Sequence, residues 1–217
     1  MAVEKSGNES IQNMELDAGW LCLDFANTSN WHASEQPIEY LTSYADLVVW
    51  GKRTGLLSEA AGQRLLAQAK KRPAAAEAVL KDAIALRDAI YEIFTELSHD
   101  HAPDDDDLAV LNRHLAASLA HARLAAQAGG FAWAWEADDD ALDRMLWPVA
   151  RSTADLLTSD QVDRVGQCAD DRGCGWLFFD TTRNHSRRWC DMKDCGNRAK
   201  AQRHYRRQRA ARAFSAA

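Results

Sequence analysis

Cys168-Ala169-Asp170-Asp171-Arg172-Gly173-Cys174, followed after fifteen residues by Cys190-Asp191-Met192-Lys193-Asp194-Cys195-Gly196-Asn197-Arg198, is the stretch whose reading decides the fold of the C-terminal part. Four of the five cysteines fall within these 28 residues, as two close pairs. Each pair forms one turn, and two such turns let four sulfurs converge on a single ion. That closed tetrahedral set of thiolates suits zinc. The spacing therefore predicts one structural zinc ion held by Cys168, Cys174, Cys190 and Cys195. An iron site and bare thiols are the alternatives, and a disulfide is disfavoured if the chain sits in a reducing compartment. The fifth cysteine, Cys22, lies in an apolar run and reads as a small core residue.

Working outward, residues 175–180 are strand-like, 181–186 read as a turn, and 187–190 as the returning strand. After Cys195 the sequence favours a helix to about residue 212. Knuckle, hairpin and then a helix beginning at the last ligand is the order of a treble clef. That helix has no apolar stripe. At about 100° per residue, Lys200, Arg203 and Arg207 share one side. Arg198, Arg209 and Arg212 share another, with Arg206 between. A helix polar all round projects from a core instead of burying a face.

The net charge of −6 conceals an asymmetry. Residues 1–182 hold 15 Lys and Arg against 30 Asp and Glu, whereas residues 183–217 hold 11 against 2. A basic segment on an acidic chain points to nucleic acid, because arginine forks pair with phosphate oxygens. Arg183, Arg187, Arg188, Asn197, Arg198, Lys200, Arg203, Arg206 and Arg207 are the expected nucleic-acid-binding residues, with Gln202 and His204 as further neutral readers. DNA is the expected partner, and RNA fits the same chemistry. The alternative for this tail is docking on its own acidic body.

Arg187-Arg188-Trp189-Cys190 and Cys195-Gly196-Asn197-Arg198-Ala199-Lys200 resemble the signature of the CGNR zinc-finger family. Upstream, Leu21-Cys22-Leu23-Asp24-Phe25-Ala26-Asn27-Thr28 is similar to the start of the ABATE domain that accompanies it. The resemblance spans nearly the whole chain. It implies an ABATE domain over residues 1–160 and a treble-clef module over 161–217, in a transcription regulator. The first cysteine pair departs from the family pattern, with five intervening residues where four are usual.

The body reads as predominantly helical with a small antiparallel sheet, so the fold class is α+β. Residues 20–28 suggest a short buried strand, and 43–50 a helix with Tyr44, Leu47 and Val48 on one face. Gly55 stops that helix and Ser58 caps the next. After Pro73, Val79, Ala83, Leu86, Ile90, Ile93 and Leu97 recur at helical spacing. Asp104 to Asp107 open a second such helix bearing Leu108, Leu111, Leu115, Leu119 and Ala122. Carboxylates there suit the positive end of the helix dipole, so they read as a cap and not as a metal site. Gly129-Gly130 ends this helix. Residues 131–136 then form a strand, the partner expected for 20–28, and a third helix covers 140–157, kinked or divided at Pro148.

If those two strands pair, Trp20, Asp24, Asn27, Thr28, Trp133 and Trp135 line a crevice for a small-molecule effector. The competing reading is core tryptophans and a turn. No catalytic motif of nucleophile, phosphate loop or metal helix is present, so an enzyme is not expected. A protein–protein adaptor with a purely structural zinc module is the alternative function. No apolar run is long enough for a membrane span. Residues 1–10 lack the order of a signal peptide and read as a frayed tail. The expected place is the cytoplasm. A homodimer is expected because regulators often read repeated half-sites.

Overall fold

The computed structural model describes residues 10–135 and 140–215, with side chains described to residue 208. The expected N-terminal tail falls largely on residues 1–9, outside the described residues.

The core is built around one long helix. Pro73, pre-set for a first helical turn, opens α4 (Pro73–Ser98), whose Ala83, Leu86, Ile90 and Ile93 are fully buried as the stripe requires. Packed around it are α1 (Leu21–Ala26), α2 (Tyr44–Arg53), α3 (Glu59–Lys71), α5 (Asp105–His121) and α6 (Leu146–Leu157). Ser43 and Ser58 cap α2 and α3 by accepting from Asp46 N and Ala61 N, and Gly55 follows α2 at φ +76°. Asp104 caps α5 by accepting from Asp106 N, so the acidic run is a helix start, as its position suggested. Phe25 and Trp50, both fully buried, meet with ring centroids 4.9 Å apart.

Three two-stranded antiparallel sheets complete the described fold: β1 (Ser29–Asn30) with β2 (Ile38–Glu39), β3 (Ala122–Gln127) with β4 (Gly130–Trp135), and β5 (Val165–Gln167) with β6 (Leu177–Phe179). Several expectations need correction. Residues 21–26 form the short helix α1, not a strand; an apolar run buried on every side does not distinguish the two, and packing against α4 and α6 decides for helix. Residues 122–127 leave the helix and pair as β3 with β4 through a two-residue turn at Ala128-Gly129, where Gly129 has φ +95°. Gly129-Gly130 therefore closes a hairpin instead of ending a helix, and the strand at 131–135 pairs with β3 and not with 20–28; Glu136 lies outside the described residues. Pro148 neither kinks nor divides α6, because it sits in the first turn, where no N–H is needed. Residues 187–190 are irregular, and β6 pairs with β5 instead.

The last pairing ties the two ends of the chain together. Val165 and Leu177 lie in the same buried cluster as α1 and α4. Asn27, almost fully buried, donates to Leu177 O and accepts from Leu177 N, each at 2.9 Å. Its amide thus takes the place of a neighbouring strand on β6. Asn27→Ala would leave both groups of Leu177 buried without partners, at about 1–3 kcal/mol each. We expect a melting temperature lower by roughly 5–15 °C, read by calorimetry; an unchanged value would refute the bridge.

Asp24 accepts from Ala18 N at 3.0 Å, and burial pushes its carboxyl up to about 6, with Asp17 adding to the rise. The folded state therefore favours the protonated form. That contribution is fully present below the ordinary carboxyl range, near 3.8, and is lost as pH rises through about 6. The substitution Asp24→Asn would keep the acceptor without the charge. The stability of wild type relative to Asp24→Asn should therefore rise as pH falls from 7 to 4; a pH-independent difference in melting curves would disprove the assignment.

Candidate metal centre and nucleic-acid interface

The first knuckle hangs from the β5–β6 pair. Cys168 N donates to Trp176 O at 2.9 Å, extending the ladder to the first ligand. The extra residue of this loop is taken up by a turn in which Gly173 N donates to Asp170 O. Gly173 has φ +91°, and a Cβ there would stand 2.7 Å from Ala33 O. Only glycine lets the knuckle lie this close to the 31–34 loop. The second knuckle is a wide turn over Met192–Gly196, closed by Gly196 N to Asp191 O at 2.9 Å and started by Asp191, which accepts from Lys193 N.

These two turns bring the four sulfurs within 4.8 Å of one another. Cys174 to Cys190 and Cys190 to Cys195 are each 3.7 Å. A tetrahedron with zinc–sulfur bonds of about 2.3 Å has edges of about 3.8 Å, so the thiols already stand at the separation zinc requires. Cys168, Cys174 and Cys195 are buried, and Cys190 is half-buried. Hydrogen bonds from Cys174, Cys190 and Cys195 draw the Cys168 thiol well below its ordinary range; those to Cys168, Cys174 and Cys195 push Cys190 far above it. Sulfurs this close can all ionise only around a cation. The centre is one structural zinc site.

A shell of charged and aromatic groups that spacing did not reveal surrounds it. Arg198 donates to Cys195 Sγ at 3.0 Å, pairs with the almost fully buried Asp170 at 3.3 Å, and also pairs with Asp194. Asp170 is held in turn by Arg172, at 2.9 Å. Trp31, buried against the cysteines, has the Arg172 and Arg198 guanidinium groups 5.0 and 5.6 Å from its ring. Its backbone has φ +54°, a left-handed conformation rare for tryptophan. A lone tryptophan in a polar stretch gives no such signal; only the fold brings residue 31 to residue 198.

The structure divides the expected nucleic-acid residues. Arg187 is turned inward: it lies 4.4 Å from the Phe178 ring and donates to the carbonyls of Phe179, Trp189 and Cys190. It shapes the second knuckle, as Arg198 does the metal shell. Asn197 donates to Lys193 O. On α7 (Asn197–Ser215), Gln202 and Arg206 both reach Asp171 of the first knuckle, at 2.9 and 3.3 Å. Lys200, Arg203 and Arg207, with His204, line one exposed concavity of about 210 Å³. Arg183 and Arg188 are exposed nearby in sequence, and Arg188 sits 5.4 Å over the Trp189 ring. Arg209 and Arg212 lie beyond the described side chains. Between α7 and the knuckle runs a cleft of about 410 Å³, lined by Asp170, Asp171, Arg188, Trp189, Gln202 and Arg203 among others.

The six residues expected to line an effector crevice are not brought together. Trp20 packs on Phe179, Asp24 caps Ala18, Asn27 bridges Leu177, and Thr28 donates to Phe25 O. Trp133 lies under Arg151, and Trp135 packs on Trp147. The expected crevice needed a strand at 20–28, and α1 is a helix.

Residues 19–160 match the ABATE family, described as "Putative stress-induced transcription regulator", and residues 164–208 match the CGNR zinc finger. No curated protein matches the chain. No helix among the described residues is long and apolar enough to cross a membrane.

Protein prepared reduced and without chelator should carry about one zinc per chain. Cys195→Ser should lose most of it and loosen residues 168–196 to amide exchange, while α1, α4 and β5–β6, which share one core, stay protected. Metal content near zero in the wild type would refute the centre.

Proposed function

We propose that this chain, which belongs to the ABATE family and ends in a CGNR zinc finger, is a cytoplasmic transcription regulator that binds DNA through α7. The observation that carries this reading is the face formed by Lys200, Arg203 and Arg207. All three are exposed, they recur at helical spacing, and none has an ion pair among the described residues. The zinc centre sets the start of α7 and so aims this face. Arg183 and Arg188 extend it, and Arg206 joins it when phosphate displaces Asp171. Arg187 and Arg198 support the centre and contribute to DNA affinity only through it. In this reading the treble-clef module binds and does not catalyse, and the helical body receives the signal, from a small-molecule effector or a partner. Two copies reading two half-sites would match the expected homodimer.

Phosphate contacts make affinity fall with salt, by about one counterion per contact. Lys200→Ala, Arg203→Ala and Arg207→Ala should each weaken binding to duplex DNA of any sequence. Each should also reduce the slope of log affinity against log salt by about one, with zinc content unchanged. Fluorescence anisotropy titrations with duplex DNA, repeated with an RNA competitor, check this. Unchanged affinity and slope in all three variants would refute the DNA reading and leave the adaptor.

A further inference from the structure

The most apolar exposed surface among the described residues lies on the β3–β4 hairpin, which takes no part in the zinc centre. In the register Leu124↔Trp133 and Ala126↔Phe131, these residues share one face of the hairpin with Ala122 and Trp135. At the base this face is covered: Trp135 packs on Trp147 of α6, and Trp133 carries Arg151 at 4.1 Å. Towards the tip it is bare. Phe131 is 77% exposed, Leu124 64% and Trp133 44%, and Leu119 at the end of α5 is 49% exposed. A cross-strand aromatic–aliphatic pair left in water is unusual for a hairpin that packs on its own domain.

We propose that this face is where two copies of the chain meet, hairpin against hairpin, about a twofold axis. Charge favours a second copy as the occupant. Residues 114–135 contain no Asp or Glu and a single formal charge, Arg123, in a chain whose first 182 residues carry twice as many acids as bases. Across most of the acidic body a second copy would meet like charge; here it meets an apolar surface built from a stretch without acidic residues, which is its own complement.

Area points the same way. From their exposures, Phe131, Leu124 and Trp133 present roughly 370 Å² of largely apolar surface per copy, taking about 150–250 Å² for a large side chain. Two copies would bury roughly 740 Å² of it. At about 60% apolar, that corresponds to an interface of roughly 1,200 Å², the lower end of the range for a stable complex. Phe131 and Leu124 are its anchors, since they are the most exposed and lie nearest the tip. Such an interface does not depend on DNA binding; it would hold for an adaptor, and its failure would leave the reading of α7 intact.

Sedimentation equilibrium of the zinc-loaded full chain, at tens of micromolar, should give twice the chain mass of 24.2 kDa. Phe131→Asp should weaken self-association by at least about tenfold. Melting temperature and zinc content should stay those of wild type, because residue 131 is exposed. Should that variant melt early, Leu124→Lys puts the same question from the other strand. Amides of residues 122–135 should become more protected from exchange as concentration rises. A wild type monomeric throughout would overturn the proposal and pass this face to another protein. A dimer that persists unchanged in well-folded Phe131→Asp and Leu124→Lys would place the contact elsewhere and overturn it equally.

Discussion

Four thiolates around one divalent cation leave a net charge of −2 in a mostly buried place, and the arrangement of the C-terminal part follows from the need to balance it. Arg198 answers it directly, donating to Cys195 Sγ. Arg172 adds positive charge beside the Trp31 ring, and Arg187 ties down the carbonyls of the second knuckle. Asp170, buried and paired with both Arg172 and Arg198, keeps those cations in place. An outer shell of this kind orients ligands as much as the ligands' own spacing does. It also explains why the basic side chains of residues 183–217 are not one population. Arg187 and Arg198 belong to the metal, whereas Lys200, Arg203 and Arg207 are turned to solvent as a face.

The centre is equally bound to the body. Gly173 lets the knuckle touch the backbone of the 31–34 loop, Trp31 closes over the cysteines, and Asn27 completes β6 from the other side. Whatever shifts β1–β2 or α1 therefore shifts the platform on which α7 starts. The adjacent matches at 19–160 and 164–208 describe sequence units, while the packed core runs through both.

Local and periodic signals are legible in the amino-acid sequence. The cysteine pairs, the stripe of α4, the Ser43, Ser58 and Asp104 caps, and the polarity of α7 are all set within a few residues of chain. The features that escape such a reading depend on distant partners. Residues 21–26 are apolar on every side, so only packing against α4 and α6 makes them a helix. The alanine-rich 122–127 suits a helix by propensity, and pairing with β4 overrides it. Trp31 and Asp170 carry no motif because their roles exist only after Ala33 and Gly173 meet. The effector crevice fails for the same reason: it assumes one strand pairing, and its six residues scatter when β4 pairs with β3 instead.

The charge asymmetry takes on a geometric meaning in the folded chain. The alternative for a basic tail on an acidic body is to fold back on it, yet residues 201–208 are all exposed. Among the described residues, the acidic partners that α7 finds are Asp170, Asp171 and Asp194, on the knuckles at its own base. Those carboxylates occupy one flank of the helix and leave the Lys200–Arg203–Arg207 flank clear. A polyanion approaching the chain is repelled by the body and by the knuckle flank, and attracted along a single strip. Repulsion thus contributes to orientation as much as attraction does to affinity, so on the DNA-binding reading proposed above the acidic body helps to decide which side of α7 the duplex can reach.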